Sequence, residues 1–147
     1  MIASKIKIAF FGNGIRATII LKHLLNKNYN IGIVITNENE NSIKTITLEN
    51  NVPAVFTENP NSQFLYSKLK SQDFDLFILG GYSKILKEDI ISIPKFFTIN
   101  LHAGNLPNFR GSSPLNWALI KGEKEFSISI IKVNKGIDKG DILLQKK

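Results

Sequence analysis

Three polar residues in the second half of the chain have the types and spacing of an acyl-transfer site. Asn100 and His102 are one residue apart, so both side chains emerge on the same side if they end a strand. An Asn amide can stabilise an oxyanion, and a His can hold or move a proton near neutral pH. Asp138, flanked by Gly136 and Gly140, lies in a segment flexible enough to bring a carboxylate to the His. The three side chains therefore favour transfer through a tetrahedral intermediate.

Each of these residues also has a structural interpretation. A single His is more often structural than catalytic, and Asp138 fits an ordinary Asx turn between two strands. Residues 106–111 are typical of a rigid loop over a site, where Arg110 would pair with a substrate carboxylate or phosphate beside Gly111. The alternative there is a surface turn with a solvated Arg. Trp117 is expected to pack its helix onto a sheet rather than to stack on a ligand.

Size and composition narrow the function classes. The chain has 147 residues, of which 43% are hydrophobic, and this is enough for one compact domain over 1–147. No apolar run approaches the roughly 18 residues of a membrane helix, and residues 1–5 do not have the apolar region of a secretory signal, so we expect a cytoplasmic protein. The sequence contains no cysteine, which excludes thiolate chemistry. Without clustered His or carboxylate residues we expect no metal.

The chain carries a formal net charge of +7. Basic side chains attract polyanions such as tRNA or a phosphorylated sugar carrier. The lysines are scattered along the sequence rather than gathered in one stripe, so we favour a solvated basic surface.

The hydrophobic pattern alternates between the strand and helix periods. Strands are predicted over 5–11, 29–35, 52–56, 76–79, 96–101 and 126–133, and helices over 16–27, 63–71, 87–91 and 114–121. In the helix over 63–71, Phe64, Leu65 and Leu69 are expected to face inward. Such alternation predicts an α/β fold with a doubly wound, mostly parallel sheet, whose ligands bind beyond the carboxyl ends of the strands. Asn100 and His102 would lie at that edge.

A second motif follows the first predicted strand. Gly12-Asn13-Gly14-Ile15-Arg16-Ala17 fits the G-x-G-x-x-[G/A] pattern, in which backbone amides and a helix N-terminus hold phosphate. Glu38 lies about where a ribose-binding acid would be expected, so an NAD-binding dehydrogenase is a rival hypothesis. A tight turn between strand and helix requires similar glycines without any ligand. The dehydrogenase hypothesis also leaves the second half of the chain unexplained.

Taken in order, these motifs resemble the amino-terminal catalytic domain of the folate-dependent formyltransferases over essentially the whole chain. The matching residues are Asn100-x-His102, Leu106-Pro107, Arg110-Gly111, Pro114, Trp117, Gly122-Glu123 and Asp138-x-Gly140-Asp141. The Arg110-Gly111-x-x-Pro114 run is more similar to the methionyl-tRNA and amino-sugar formyltransferases than to the glycinamide ribonucleotide branch. Residues 114–117 most resemble the enzyme that formylates UDP-linked aminoarabinose.

The resemblance implies a Rossmann-like formyltransferase fold, 10-formyltetrahydrofolate as donor and a primary amine as acceptor. It implies that Asn100, His102 and Asp138 occupy the positions of the family's catalytic triad. The segment matching the family's pterin site contains Tyr82, Ser83, Lys84, Ile85 and Leu86, where main-chain groups would bind the ring; the alternative is a plain strand-to-helix connection. Substrate binding is expected at Gly12, Asn13, Gly14, Arg110 and Gly111.

The resemblance also implies that the catalytic domain continues for some tens of residues beyond 141–145, so a carboxyl-terminally shortened domain is expected. The smaller tRNA-holding domain of methionyl-tRNA formyltransferases has no counterpart here, which makes tRNA harder to support. We therefore expect a nucleotide-linked amino sugar as acceptor, with methionyl-tRNA as the alternative. A noncatalytic formyltransferase-like binding module and, more remotely, the dehydrogenase are the rival functions. The residues leave the oligomeric state open.

Overall fold

The computed structural model describes residues 5–147, and residues 1–4 lie outside its description. Strands and helices alternate through most of the described chain, as the sequence predicts. The strands are β1 (Lys7–Phe11), β2 (Asn30–Thr36), β3 (Ala54–Phe56), β4 (Leu76–Gly80), β5 (Phe97–His102), β6 (Ile128–Lys132) and β7 (Ile142–Lys146). The helices are α1 (Gly14–Asn26), α2 (Asn41–Glu49), α3 (Gln63–Lys70), α4 (Glu88–Ile91) and α5 (Pro114–Ile120). The α/β prediction is confirmed.

The chain divides into two compact units, the first ending at Thr98 and the second beginning at Ile99. In the first unit, β3, β2, β1 and β4 are neighbours in that order, and their pairings are parallel. Their side chains are buried almost continuously, as expected for a parallel sheet covered on both faces. Phe11 and Phe74 each pack a ring against Phe77, which fills the core of this unit. The expectation of a single domain over 1–147 stays a prediction.

Helix α2 lies in a segment for which the sequence predicted no element. Its Asn, Ser and Thr residues favour turns and caps over helix interiors, so propensity argues against a helix there. The helix buries Ile43, Ile46 and Thr47, whose spacing places them on one face. Thr45 and Thr47 donate their hydroxyls to backbone carbonyls within the helix. Burial of the isoleucines therefore overrides weak propensity.

In the second unit the strands pair antiparallel, β5 with β6 and β6 with β7. The alternation over 126–133 predicted a strand, and β6 forms there, but its serine face is the buried one. Ser127 and Ser129 are buried, whereas Ile128 is 57% exposed. A period of two identifies a strand, but it does not say which face is covered when the polar face has hydrogen-bond partners.

Two predicted core side chains are in fact exposed. Trp117 was expected to pack onto the sheet, but it is 55% exposed because α5 buries Pro114 and Ala118, one turn apart on another face. Phe64 was expected to face inward, but it is 68% exposed while Leu65 and Leu69, four residues apart, are buried. In both helices the buried pair has the i, i+4 spacing. The side chain that was wrongly predicted to be buried is the sequence neighbour of one member of that pair.

Gly12 lies where β1 passes into α1, and its surroundings leave no room for a side chain. A Cβ atom there would come within 2.6 Å of the Ala17 Cβ and 2.7 Å of the Gly80 carbonyl oxygen. Gly14 instead has a φ of 76° and open space around it. The strand and the helix therefore require these glycines for two different reasons, close packing at Gly12 and backbone conformation at Gly14.

We expect Gly12→Ala to lower the free energy of unfolding by about 3 kcal/mol, because the added methyl overpacks two rigid neighbours. Gly14→Ala is the matched control and should cost only about 1 kcal/mol, the usual strain of a left-handed residue. Urea unfolding followed by circular dichroism measures both. A Gly12→Ala variant as stable as Gly14→Ala would contradict the packing argument.

Candidate active site

The structure brings together the three residues that the sequence singled out for chemistry, all of them in the second unit. Asn100 and His102 lie on β5, two positions apart, and Asp138 lies in the loop between β6 and β7. The Asn100 Nδ2 donates to Asp138 Oδ1 over 3.3 Å, and the His102 Nδ1 lies 3.4 Å from Asp138 Oδ2. An amide, an imidazole and a carboxylate thus form one contiguous group.

Asp138 is the centre of this group. Its side chain is 10% exposed, and Oδ2 also accepts a hydrogen bond of 2.8 Å from the Gly111 backbone N–H. Its own carbonyl oxygen accepts from the Arg110 Nε over 3.1 Å. The residue has a φ of 48°, a conformation that Asp tolerates better than most residues. The Asx-turn alternative does not account for these contacts, because the carboxylate bonds to residues far away in the sequence.

His102 is 6% exposed, and both of its ring nitrogens face oxygen atoms. The Nε2 lies 2.5 Å from the Phe109 carbonyl oxygen, which can only accept, so this contact requires the proton on Nε2. A Cβ at Gly104 would lie 2.7 Å from the same nitrogen, so only glycine lets the loop pass this close to the ring. Neither Gly104 nor the Phe109 carbonyl was predicted from the sequence, because neither contact depends on a functional side chain.

Arg110 and Gly111 were predicted to bind substrate as part of a loop over the site. Both residues contact Asp138: the Gly111 N–H donates to its carboxylate, and the Arg110 Nε donates to its carbonyl oxygen. Arg110 is exposed. Anion binding by Arg110 stays a prediction.

The segment that resembles a pterin site lies in the first unit, after β4. Two polar side chains hold its backbone through three hydrogen bonds: Asn13 Oδ1 accepts from the Ser83 N–H, and Asn61 bonds to both the Ile85 carbonyl and the Lys87 N–H. These bonds measure 2.8, 2.9 and 2.7 Å. Asn13 of the glycine motif therefore orders Tyr82–Leu86, a structural use that the phosphate pattern did not predict. Asn61 was missed because it lies far from the segment in sequence.

Charged and aromatic groups support the same segment. Lys84 Nζ forms a 2.8 Å ion pair with Glu58, which also accepts from the Glu38 N–H. The hydrogen bond from the Lys84 side chain and, to a smaller extent, the one from the Glu38 backbone N–H lower the pKa of Glu58. The Tyr82 ring packs edge-on against Phe11, with centroids 5.7 Å apart. Among the described residues, its buried hydroxyl has no hydrogen-bond partner.

Two findings concern other classes of site. Within residues 5–147, no group of three or more His, Asp or Glu side chains is placed to hold a metal ion. No helix in the described part of the chain is both long and apolar enough to cross a membrane.

Solved structures of other proteins have the same architecture. Phosphoribosylglycinamide formyltransferase from Streptococcus pneumoniae superposes with a TM-score of 0.81 at 22% identity, covering 95% of this chain and 80% of that one. A formyltetrahydrofolate deformylase from Pseudomonas syringae gives a TM-score of 0.78 at 20% identity, covering 97% of this chain and 50% of that one. The likeness identifies the fold of the formyltransferases.

Sequence comparison identifies the family. Residues 5–147 match the family model described as formyl transferase, and the chain belongs to that family. Curated relatives include the methionyl-tRNA formyltransferases of Caldanaerobacter subterraneus subsp. tengcongensis, 34% identical, and Thermodesulfovibrio yellowstonii, 37% identical. Each match covers 95% of this chain and, respectively, 49% and 48% of the relative. The chain therefore spans about half the length of these relatives.

We expect Asp138→Asn to destabilise the fold by about 1–3 kcal/mol, because an amide cannot accept from all the donors around it and loses the charge. Asp141→Asn is the matched control, an exposed Asp in the same loop, and it should change stability by less than about 0.5 kcal/mol. Urea unfolding at pH 7 compares the two. Equal stability of both variants would mean that the Asp138 contacts contribute little.

Burial, and secondarily the charge of Glu58, raises the pKa of Tyr82 far above its ordinary value. The folded state therefore favours the neutral phenol, and the stability that this provides is present below the unfolded pKa of about 10 and falls as pH rises above it. Tyr82→Phe has no group that ionises, so it should remove part of the stability loss above that pH. At pH 7 the variant should be as stable as the wild type, because the Tyr82 hydroxyl has no hydrogen-bond partner to lose. Unfolding measured between pH 7 and 11 tests this expectation; an unchanged alkaline profile would contradict it.

Proposed function

We propose that this chain carries the catalytic residues of an N-formyltransferase that moves a formyl group from 10-formyltetrahydrofolate to the amine of methionyl-tRNA. The observation that carries the proposal is the contact of Asn100 and His102 with Asp138. Family membership supports formyl transfer as the reaction. Because the chain spans about half of its relatives, the activity, the donor and the acceptor are all proposed for the protein rather than taken from them.

The choice of acceptor reverses the preference drawn from the sequence. The nucleotide-linked amino sugar was preferred on the run over 114–117, whereas the relatives at 34% and 37% identity are methionyl-tRNA formyltransferases. A formal charge of +7 also suits a polyanionic acceptor, whose phosphates attract basic side chains. These observations favour tRNA, the former alternative, over the amino sugar.

The residue types fit the chemistry. The acceptor amine attacks the formyl carbon, and the carbonyl oxygen becomes an oxyanion that N–H donors stabilise. Asn100 has two amide hydrogens, so it can give one to Asp138 and the other to the oxyanion. The C–N10 bond then breaks, the attacking nitrogen loses a proton and N10 of tetrahydrofolate gains one. Asp138 orients His102, which would relay that proton.

One contact must change before His102 can act on substrate. Its Nδ1 faces Asp138 and its Nε2 faces the Phe109 carbonyl, so the ring has no nitrogen left for a third partner. The Asp138 contact orients the ring, and the Phe109 carbonyl belongs to a loop over the site. We infer that substrate binding moves Phe109 and takes its place at Nε2.

The ordered segment Tyr82–Leu86 supports a donor site in the first unit. Asn13 and Asn61 hold its backbone in place, which leaves other main-chain groups in fixed positions to bind a pterin ring. Lys84 forms an ion pair with Glu58, so the lysine contributes to folate binding only if that ion pair breaks. The turn at Gly12, Asn13 and Gly14 is proposed to bind substrate, as the resemblance implies.

The test is formyl transfer by the 147-residue chain, followed as acceptor-dependent release of tetrahydrofolate with methionyl-tRNA and, in parallel, with UDP-linked amino sugars. His102→Ala should lower turnover by on the order of 10²–10⁴-fold, the usual contribution of a positioned proton-transfer group. His23→Ala is the matched control, since His23 is exposed on α1.

Each outcome distinguishes a hypothesis. Turnover with the amino sugar alone would restore the earlier preference, and donor binding without turnover would favour the noncatalytic module. Turnover that is unchanged in His102→Ala would exclude the mechanism.

A further inference from the structure

A row of three polar side chains runs across the sheet of the second unit. In the antiparallel pairing of β5 with β6, the residue directly opposite His102 is Ser129, and in the pairing of β6 with β7 the residue opposite Ser129 is Gln145. Directly paired residues of neighbouring strands lie on the same face of the sheet. His102, Ser129 and Gln145 therefore share one face, and only His102 has been given a role so far.

Ser129 and Gln145 are linked to each other and to the loop that follows His102. The Gln145 Nε2 donates to Ser129 Oγ over 2.9 Å and to the Leu106 carbonyl over 3.1 Å. The Ser129 hydroxyl in turn donates to the Gly104 carbonyl over 2.7 Å. All four groups have consistent donor and acceptor roles, because an amide nitrogen supplies two hydrogens and a hydroxyl can accept one bond while donating another.

This network fixes the part of the loop that lies against the imidazole. Gly104 passes so close to the His102 Nε2 that a Cβ would lie within 2.7 Å of it. Both carbonyls that the network holds, those of Gly104 and Leu106, precede Phe109, whose carbonyl contacts the same Nε2. The beginning of the loop is therefore held by β6 and β7, and the Phe109 carbonyl at its other end contacts His102.

We propose that Gln145 is a positioning residue for His102. Through Ser129 and the Gly104 and Leu106 carbonyls, it keeps the loop against the imidazole, which holds Nδ1 facing Asp138 and an Nε2–H facing the Phe109 carbonyl. The inference rests on the proposed function for its catalytic consequence, but the effect on the ring is independent of any activity. Ser129 explains in the same way why β6 buries its serine face.

The test replaces the two N–H donors of Gln145 with oxygen. In Gln145→Glu the carboxylate has the same shape but cannot donate to the Leu106 carbonyl or to Ser129. Gln63→Glu is the matched control, because Gln63 Nε2 also donates to a serine hydroxyl, that of Ser67, but does so on the exposed surface of α3. Gln145→Ala is a second variant that removes the donors without adding charge.

The first measurement is the imidazole N–H signal in ¹⁵N-detected NMR at neutral pH. The chain has two histidines, and exposed His23 serves as the internal reference. The wild type and Gln63→Glu should show a slowly exchanging Nε2 proton on His102, and both Gln145 variants should lose it while their backbone spectra keep the dispersion of a folded protein. A retained Nε2 proton in either folded Gln145 variant would overturn the proposal.

The second measurement is steady-state formyl transfer. The kcat of Gln145→Glu should fall on the order of 10–100-fold, the effect of misplacing a catalytic group by about 1 Å, with KM for the donor nearly unchanged. A higher KM for the donor with an unchanged kcat would count against a positioning role. If the wild type transfers no formyl group, the proposed function fails, and the NMR result still decides whether Gln145 positions the ring.

Discussion

The carboxylate of Asp138 is the contact on which the candidate site depends. It accepts hydrogen bonds from the Asn100 amide and the Gly111 N–H, and it faces the Nδ1 of His102. A carboxylate that is 10% exposed is stable only when such donors replace the water it has lost. Its three partners come from β5 and from the loop that follows β5. The same charge therefore orders the polypeptide and orients the imidazole.

The two units hold their functional segments by different physical means. In the first unit, the segment Tyr82–Leu86 is fixed by side-chain amides, chiefly Asn13 and Asn61, acting on backbone groups. In the second unit, a charge and a row of paired strand positions orient a single titratable ring. Amide contacts to the backbone fix a shape, which suits recognition of a ring, whereas contacts to an ionisable side chain control a proton, which suits catalysis.

Sequence periodicity predicted nearly all strands of this fold, because burial on both faces of a parallel sheet produces continuous apolar runs such as 33–35 and 76–79. Residue type and spacing also predicted that Asn100, His102 and Asp138 belong to one site, and the structure brings the three side chains together. The sequence did not predict α2, whose stability comes from tertiary burial rather than propensity. It was wrong about Trp117 for a related reason, because spacing alone does not say which side of a helix is covered. The contacts of Gln145 and Asn61 were not predicted, because their partners are distant in the chain. The pairing of residues across strands cannot be derived from a local sequence pattern.

The separation of the site's residues along the chain has a consequence for how the protein folds. Asn100 and Asp138 are 38 residues apart, and Gln145 and Leu106 are 39 apart, so each of these contacts closes a long loop. The entropy of closing such loops must be lost before the contacts compensate for it. By contrast, α1 forms from residues that are close in sequence. The contact of His102 with Asp138 is thus a measure of complete folding of the second unit: a chain without the loop between β6 and β7 in place would possess the imidazole but not the carboxylate that its Nδ1 faces.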